Sequence, residues 1–275
     1  MQTAAYNLQL ANGFTIGYRS TLRAQAALAE FAEIYQLSRN ARPPDYNVVV
    51  TFSDEHHVAR QEMANCETGY AVIGDLQQLI NHADYWLLHY LQLQRIGLHG
   101  LRNAAMQTVA VPVHCALAVC NGGGYVFAGS SGVGKSTLYD KMQAPWRAVC
   151  DDNALIVKSG NSYFVQPLPT WSRFMYDEGG YPVATAEYFP LRGVYFLTQA
   201  DCDECRPIET AEAILRLRKS AEEASFIWQM PKDERISLNG LFFERACEII
   251  RQTPHAELFS TVAGRPWLEI ERLQL

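Results

Sequence analysis

Tyr125-Val-Phe-Ala-Gly-Ser-Ser-Gly-Val-Gly-Lys-Ser-Thr137 is the stretch from which the rest of the chain can be read. From Gly129 on, the residues Gly129, Ser130, Ser131, Gly132, Val133, Gly134, Lys135, Ser136 and Thr137 carry the G-x-x-x-x-G-K-S spacing of a phosphate-binding loop. The apolar run Tyr125–Ala128 before it reads as a strand, and Lys135 opens a helix, so the required order of strand, glycine loop and helix is complete. Gly129, Gly132 and Gly134 admit backbone angles that a Cβ forbids, which lets consecutive N–H groups turn inward around an anion. The dipole of the helix that follows favours negative charge at the same place. Lys135 is expected to reach the β- and γ-phosphates, Ser136 to join the coordination shell of Mg²⁺, and Thr137 to cap. The chain therefore reads as a binder of a nucleoside triphosphate, ATP or GTP, together with Mg²⁺.

A second half of the site follows closely. The strand Arg147-Ala-Val-Cys150 ends in Asp151-Asp152, after a short helix stopped by Pro145. A parallel crossover needs about a dozen residues, so this strand is expected beside Tyr125–Ala128, with both acids at the phosphate-loop end of the sheet. Adjacent side chains on a strand diverge, so one acid can face Mg²⁺ and the other the attacking group. Asp151-Asp-Asn153 is also good turn chemistry, and that reading stays open.

Composition sets the outer bounds. The 275 residues suffice for one large domain or two, and 48% apolar with 19% charged residues excludes a disordered chain. A net charge of −6 with scattered basic residues argues against nucleic acid as a partner. No basic residue precedes Arg19, which argues against a secretory signal, and no apolar stretch approaches the roughly 20 residues that span a bilayer. The odd number of cysteines, at Cys66, Cys115, Cys120, Cys150, Cys202, Cys205 and Cys247, fits a reducing cytoplasm. Cys202-Asp-Glu-Cys205 has no second pair to complete a metal site and reads as a surface loop.

Residues 1–108 read as an α+β region without recognisable chemistry: strands at Leu8–Tyr18, Tyr46–Phe52 and Gly69–Ile73, a helix over Leu22–Leu37, and a long helical stretch from about His82 to Met106 interrupted by Gly97 and Gly100. His82 and His89 could share a helix face but read as ordinary histidines. From Val109 on, strands are expected at Cys115–Val119, Tyr125–Ala128, Arg147–Cys150, Ala154–Lys158, Tyr163–Gln166 and Val194–Thr198, then helices at Thr210–Phe226, Ser237–Arg251 and after Pro266. The hairpin turn Asn121-Gly-Gly-Gly124, directly before the phosphate loop, implies a mixed sheet rather than a purely parallel one.

Val113-His-Cys-Ala-Leu-Ala118, the hairpin, the phosphate loop and Val149-Cys-Asp-Asp152 together resemble the catalytic core of the HPr kinase/phosphorylase family, whose fold is shared with phosphoenolpyruvate carboxykinases. Pro167-Leu-Pro-Thr-Trp-Ser172 is similar to a segment of the SynChlorMet cassette proteins, shorter relatives found with peptide-modification cassettes. The resemblance covers roughly residues 109–273 and leaves the first hundred outside. It implies an α/β fold with a mixed-sheet phosphate-loop kinase core at 109–275. It also implies Asp151 as general base, Asp152 with Ser136 on the metal, Lys135 on the phosphates, and His114 against the catalytic aspartate. From the residues alone, His114 could bond Asp151 or be a satisfied core histidine. Cys115 stands where the family has glycine, Thr137 where it often has glutamate, and the later Gly-Arg-Asn box is absent. These departures argue against phosphorolysis and against a sugar-transport phosphocarrier as substrate.

The expected activity is Mg·ATP-dependent transfer of a γ-phosphoryl group to a serine hydroxyl of a peptide or small protein. A small-molecule kinase and a non-catalytic ATP-binding sensor remain as alternatives. Arg173, Arg192, Arg216 and Arg218 are candidates to assist, Tyr176-Asp-Glu-Gly-Gly-Tyr181 could be a substrate flap, and a homo-oligomer is compatible with all of this.

Overall fold

The computed structural model describes residues 6–39, 43–52, 68–73, 85–175, 183–226 and 230–274. They fall into two compact units, Met1–Thr108 with Pro169–Ala186, and Val109–Leu168 with Glu187–Leu275.

In the first unit, strands β1 (Tyr6–Gln9), β2 (Thr15–Ser20), β3 (Ser38–Arg39), β4 (Tyr46–Phe52) and β5 (Thr68–Ile73) form one sheet in the order β3-β1-β2-β4-β5. Helices α1 (Gln25–Ile34) and α2 (Tyr85–Gln107) complete it. The ring of Phe31 lies 4.9 Å from that of Tyr18 and 4.4 Å from that of Tyr35. The two glycines expected to interrupt α2 serve this aromatic cluster instead. A Cβ on Gly97 would sit 2.2 Å from the Tyr35 hydroxyl, and one on Gly100 2.3 Å from that of Tyr18, so the helix runs unbroken and packs close.

His99 on α2 makes this unit pH-sensitive. Burial first, and Arg102 second, lower its pKa to about 4, and its Nε2 faces the Tyr46 hydroxyl at 3.5 Å. The folded unit thus holds a neutral imidazole that the unfolded chain protonates below about 6.5. The stability from excluding that proton is complete above pH 6.5 and is lost as the pH falls toward 4. A loss of about 3 kcal/mol is expected across that window. Urea titrations at several pH values should show it, and His99→Gln should flatten it.

The second unit contains β6 (Ala110–Cys120), β7 (Gly123–Ala128), α3 (Lys135–Lys141), β8 (Arg147–Cys150), β9 (Asn153–Ser159) and β10 (Ser162–Pro167). After α4 (Trp171–Met175), which belongs to the first unit, come β11 (Phe189–Gln199), β12 (Glu204–Arg206), α5 (Thr210–Ser225), α6 (Lys232–Gln252), β13 (His255–Ser260) and α7 (Trp267–Gln274). The result is an α/β unit on one large mixed sheet, ordered β10-β9-β6-β7-β11-β13-β12, with β8 also on β6. Two-residue turns make the hairpins tight. Asn121 and Gly122 take φ of 49° and 73° between β6 and β7, the left-handed pair that matches strand twist. Because β10 also pairs with the start of β11, the strands β6, β7, β11, β10 and β9 close into a ring. Phe127, Tyr195, Leu258, Leu138 of α3 and Trp267 and Ile270 of α7 share one core cluster.

Two expectations change here. The strand Arg147–Cys150 does not lie beside Tyr125–Ala128, because β6 stands between them and pairs antiparallel with both. The reason is the hairpin: β6 already occupies that flank of β7, so the crossover through α3 must pass over it. Residues 169–186 leave the second unit, since Val183 N–H donates to Ile34 O at 3.3 Å, the Thr185 hydroxyl donates to Tyr35 O, and Trp171 packs 6.0 Å from the Tyr35 ring. Among the described residues no helix is long and apolar enough to cross a membrane.

Candidate active site

Residues 129–134 connect β7 to α3 as a loop whose glycines do different work. Gly132 and Gly134 have φ of +79° and +107°, a conformation side chains resist. Gly129 has no such angle; its need is space, since a Cβ there would meet Val133 Cγ1 at 2.8 Å and Leu197 O at 3.3 Å. Ser130, Ser131, Gly132, Ser136 and Thr137 are open to solvent to differing degrees, whereas Lys135 is only 6% exposed. Its Nζ donates to Gly129 O at 2.9 Å and Ser130 O at 3.0 Å, which leaves one of three protons for a ligand. Burial pulls this ammonium below its ordinary pKa, while Cys115, Asp152, Glu223 and Asp151 push it back up.

β8 ends at Cys150, and the two acids follow it in a two-residue bend before β9. β8 pairs with β6 over Val119 to Leu117 and β9 pairs with β6 over His114 to Ala110, both antiparallel, so Asp151-Asp152 is a two-residue interruption in one continuous line. Cys115 N–H still donates to Asp152 O at 3.0 Å across the gap. On its other side Cys115 pairs with Ala128, the residue before the phosphate loop. The acids are therefore level with the loop and two strand spacings away, about 10 Å. Asp151 and Asp152 form a bend between β8 and β9, in keeping with the turn chemistry of Asp151-Asp-Asn153.

The strand before the acids carries a bulge. Leu117 pairs with Cys150 and Ala118 with Ala148, so Val149 is an extra residue and the alternation of sides slips by one. Asp151 ends up 3% exposed, while the Asp152 side chain keeps 19%. His114, expected against Asp151, instead reaches Asp152: its Nε2 lies 3.6 Å from Asp152 Oδ1 and its Nδ1 3.0 Å from Glu223 Oε2. The imidazole bridges two carboxylates.

Glu223 is the link to the loop. A cavity of about 440 Å³ runs from Gly129–Val133 past Thr198 and Gln199 of β11 to Arg216, Lys219, Ser220 and Glu223 of α5. These four are spaced i, i+3, i+4 and i+7, one face of a helix, and the Ser220 hydroxyl ties that face to His114 O at 2.9 Å. The sequence offers Arg216 only as one of four arginines without choosing among them and points to none of Lys219, Ser220 and Glu223, although this period is legible. Of the four arginines considered, Arg216 lines the cavity, held by Glu257 at 2.9 Å and by Glu212. Arg173 belongs to the first unit and Arg218 pairs with Glu222 at 3.3 Å; Arg192 is exposed and lies beside Gly123, at the end of β7 away from the loop. Burial would raise the Glu257 carboxyl, but the Thr198 hydroxyl and Arg216 outweigh it and hold the pKa low.

Other candidates play no part in this geometry. Cys115, Cys120 and Cys150 are free and buried, and Cys205 lies on β12 rather than in a loop, its thiol raised by burial and then by Glu269. His82, Cys66 and Tyr176–Tyr181 fall outside the described residues, as does the side chain of His89. Among the described residues no group of three or more His, Cys, Asp or Glu could hold a metal by itself.

Comparison with known proteins places the chain. No protein of curated function matches it. Among solved structures, the Hpr(Ser) kinase/phosphatase from Coxiella burnetii is similar at 13% identity over 59% of this chain and 95% of that one, with a TM-score of 0.28, too loose to carry an argument. The family model of the SynChlorMet cassette protein ScmC matches residues 78–275, which extends some way upstream of the resemblance seen in the sequence and takes in α2. With the phosphate loop, both acids, His114 and the α5 face all inside that span, the chain belongs to the ScmC family of SynChlorMet cassette proteins.

Proposed function

We propose that this protein is a Mg·ATP-dependent phosphotransferase acting on a hydroxyl, the serine of a peptide or small protein. The observation that carries the reading is a chain of contacts: the loop residues Gly129–Val133 line one cavity with Glu223, and His114 joins that Glu223 to Asp152.

The loop amides and Lys135 hold the triphosphate, and the third Lys135 proton follows charge onto the transferring phosphoryl oxygens. Asp152 accepts the proton of the attacking hydroxyl as its oxygen bonds to the γ-phosphorus and the bond from that phosphorus to the β-bridging oxygen breaks, leaving ADP. Asp152 takes this role from the buried Asp151 because its side chain is the more exposed of the two and lies beside His114. His114, held by Glu223, keeps that carboxylate oriented. Arg216 and Lys219 add positive charge along the cavity wall. The hard oxygens of Ser136 and the Asp151–Asp152 pair are the donor type Mg²⁺ requires, and the phosphates supply the rest. When bound, the ion would neutralise charge on the β- and γ-phosphates.

The test is incubation of the full-length protein with γ-labelled ATP, Mg²⁺, serine peptides and a set of small alcohols. Label on peptide serine with matching ADP is the expected result. Label confined to the small alcohols would assign a small-molecule kinase, and ATP bound without transfer to any acceptor would assign a sensor.

A further inference from the structure

Asp203 and the segment Ser260–Pro266 have no role in the chemistry above, yet they form a built feature. A second cavity, of about 100 Å³, opens where the phosphate loop runs into α3. Gly132, Val133 and Gln199 border both cavities, and Gln199 Nε2 donates to Gly132 O at 3.0 Å on the ridge between them. The outer wall is the chain after β13: Thr261, Val262, Gly264 and Pro266. Val262 is 80% exposed, the most exposed large apolar side chain among the described residues. A lone exposed valine is ordinary on a surface; this one stands at the rim of a cavity beside a phosphate loop.

The wall is bolted in place. Asp203 Oδ1 accepts from Thr261 N–H at 2.8 Å and Oδ2 accepts from Arg265 N–H, so one carboxylate spans the whole turn. Gly264 makes room for it, because a Cβ there would lie 1.9 Å from Asp203 Oδ1. This is the Asp of Cys202-Asp-Glu-Cys205, whose cysteines drew attention in the sequence while its first acid does the work.

Topology says what the cavity faces. β7, β11 and β13 run parallel, and β8 runs parallel to β7 across β6, so Cys150, Ala128, Gln199 and Ser260 end on one edge of the sheet in that spatial order. A triphosphate in the loop with its γ end toward the acids must direct its other end toward β11 and β13. Thr137, next after Ser136, lines this second cavity on that side.

We propose that this cavity receives the nucleoside of the bound triphosphate, and that Asp203 is the positioning residue that holds its outer wall. The proposal rests on the reading of residues 129–137 as a triphosphate site. Its test compares equilibrium binding of Mg·ATP and of inorganic tripolyphosphate to the full-length protein. Asp203→Ala and Gly264→Ala should each weaken ATP about tenfold and leave tripolyphosphate within about twofold, with Asp203→Asn, which keeps one acceptor, between wild type and Asp203→Ala. A merely structural role would weaken both ligands together, and that result, or no effect on either, overturns the proposal. Should those variants fail to fold, photolabelling of the wild-type protein with 8-azido-ATP decides: adducts within residues 260–266 support the assignment, and adducts on α5 overturn it. If the wild-type protein binds neither ligand, the phosphate-loop reading falls and this one falls with it.

Discussion

Lys135→Met is expected to abolish phosphoryl transfer while leaving the fold intact or slightly firmer. The ammonium is 6% exposed and, in the free protein, bonded only to the carbonyls of Gly129 and Ser130 within its own loop. Burial works against its charge, as its lowered pKa shows, so an apolar side chain of similar length removes a desolvation cost. Function moves the other way. Losing a preorganised cation from the developing negative charge should lower turnover by about 10²–10³-fold and weaken ATP binding. Lys135→Arg should not rescue, since a planar fork cannot reproduce a point donor seated between two carbonyls. Thermal melting without nucleotide, set beside transfer assays, separates the two effects. Turnover at the wild-type rate in the methionine variant would remove the loop from the mechanism.

The second large effect is expected at Asp152. Asp152→Asn should hold ATP affinity and cut transfer by about 10²–10⁴-fold, the range of a lost general base. Asp151→Asn should differ in kind. Its carboxylate is 3% exposed, so the main expected loss is in melting temperature, with a smaller drop in transfer. Were Asp151→Asn the silent-binding, dead variant and Asp152→Asn the active one, the roles would revert to those the family resemblance implies.

The contrast between these two acids shows what a sequence can and cannot convey. The strand, glycine loop and helix at 125–141 were legible because their signal lies in the spacing of consecutive residues. Helices α5 and α6 and strands β7, β8 and β9 were legible because period and turn residues are local too. The neighbour of β8 was not, since two strands compete for one flank of β7 and the winner depends on the hairpin closing first. Nor was the bulge at Val149, since nothing in Arg147-Ala-Val-Cys150 announces that slip. Glu223 illustrates a third case. It lies more than a hundred positions after His114, and only the packing of α5 on β6 brings the two to 3.0 Å. The face Arg216, Lys219, Ser220, Glu223 was visible as a periodicity, but its partner was not.

Housing the acid pair in a two-residue bend between two strands that both pair with β6 has a consequence for how relatives of this protein can diverge. A loop can gain or lose residues and still present its side chains. Here a single deletion between Cys150 and Asn153 would slide all of β9 one position along β6, and through β10 would disturb the closed ring, turning inward residues outward along both strands. Descendants are free to exchange side chains at 151 and 152 but not to change the number of residues there, so indels should be absent from this site in homologues even where the chemistry has been lost.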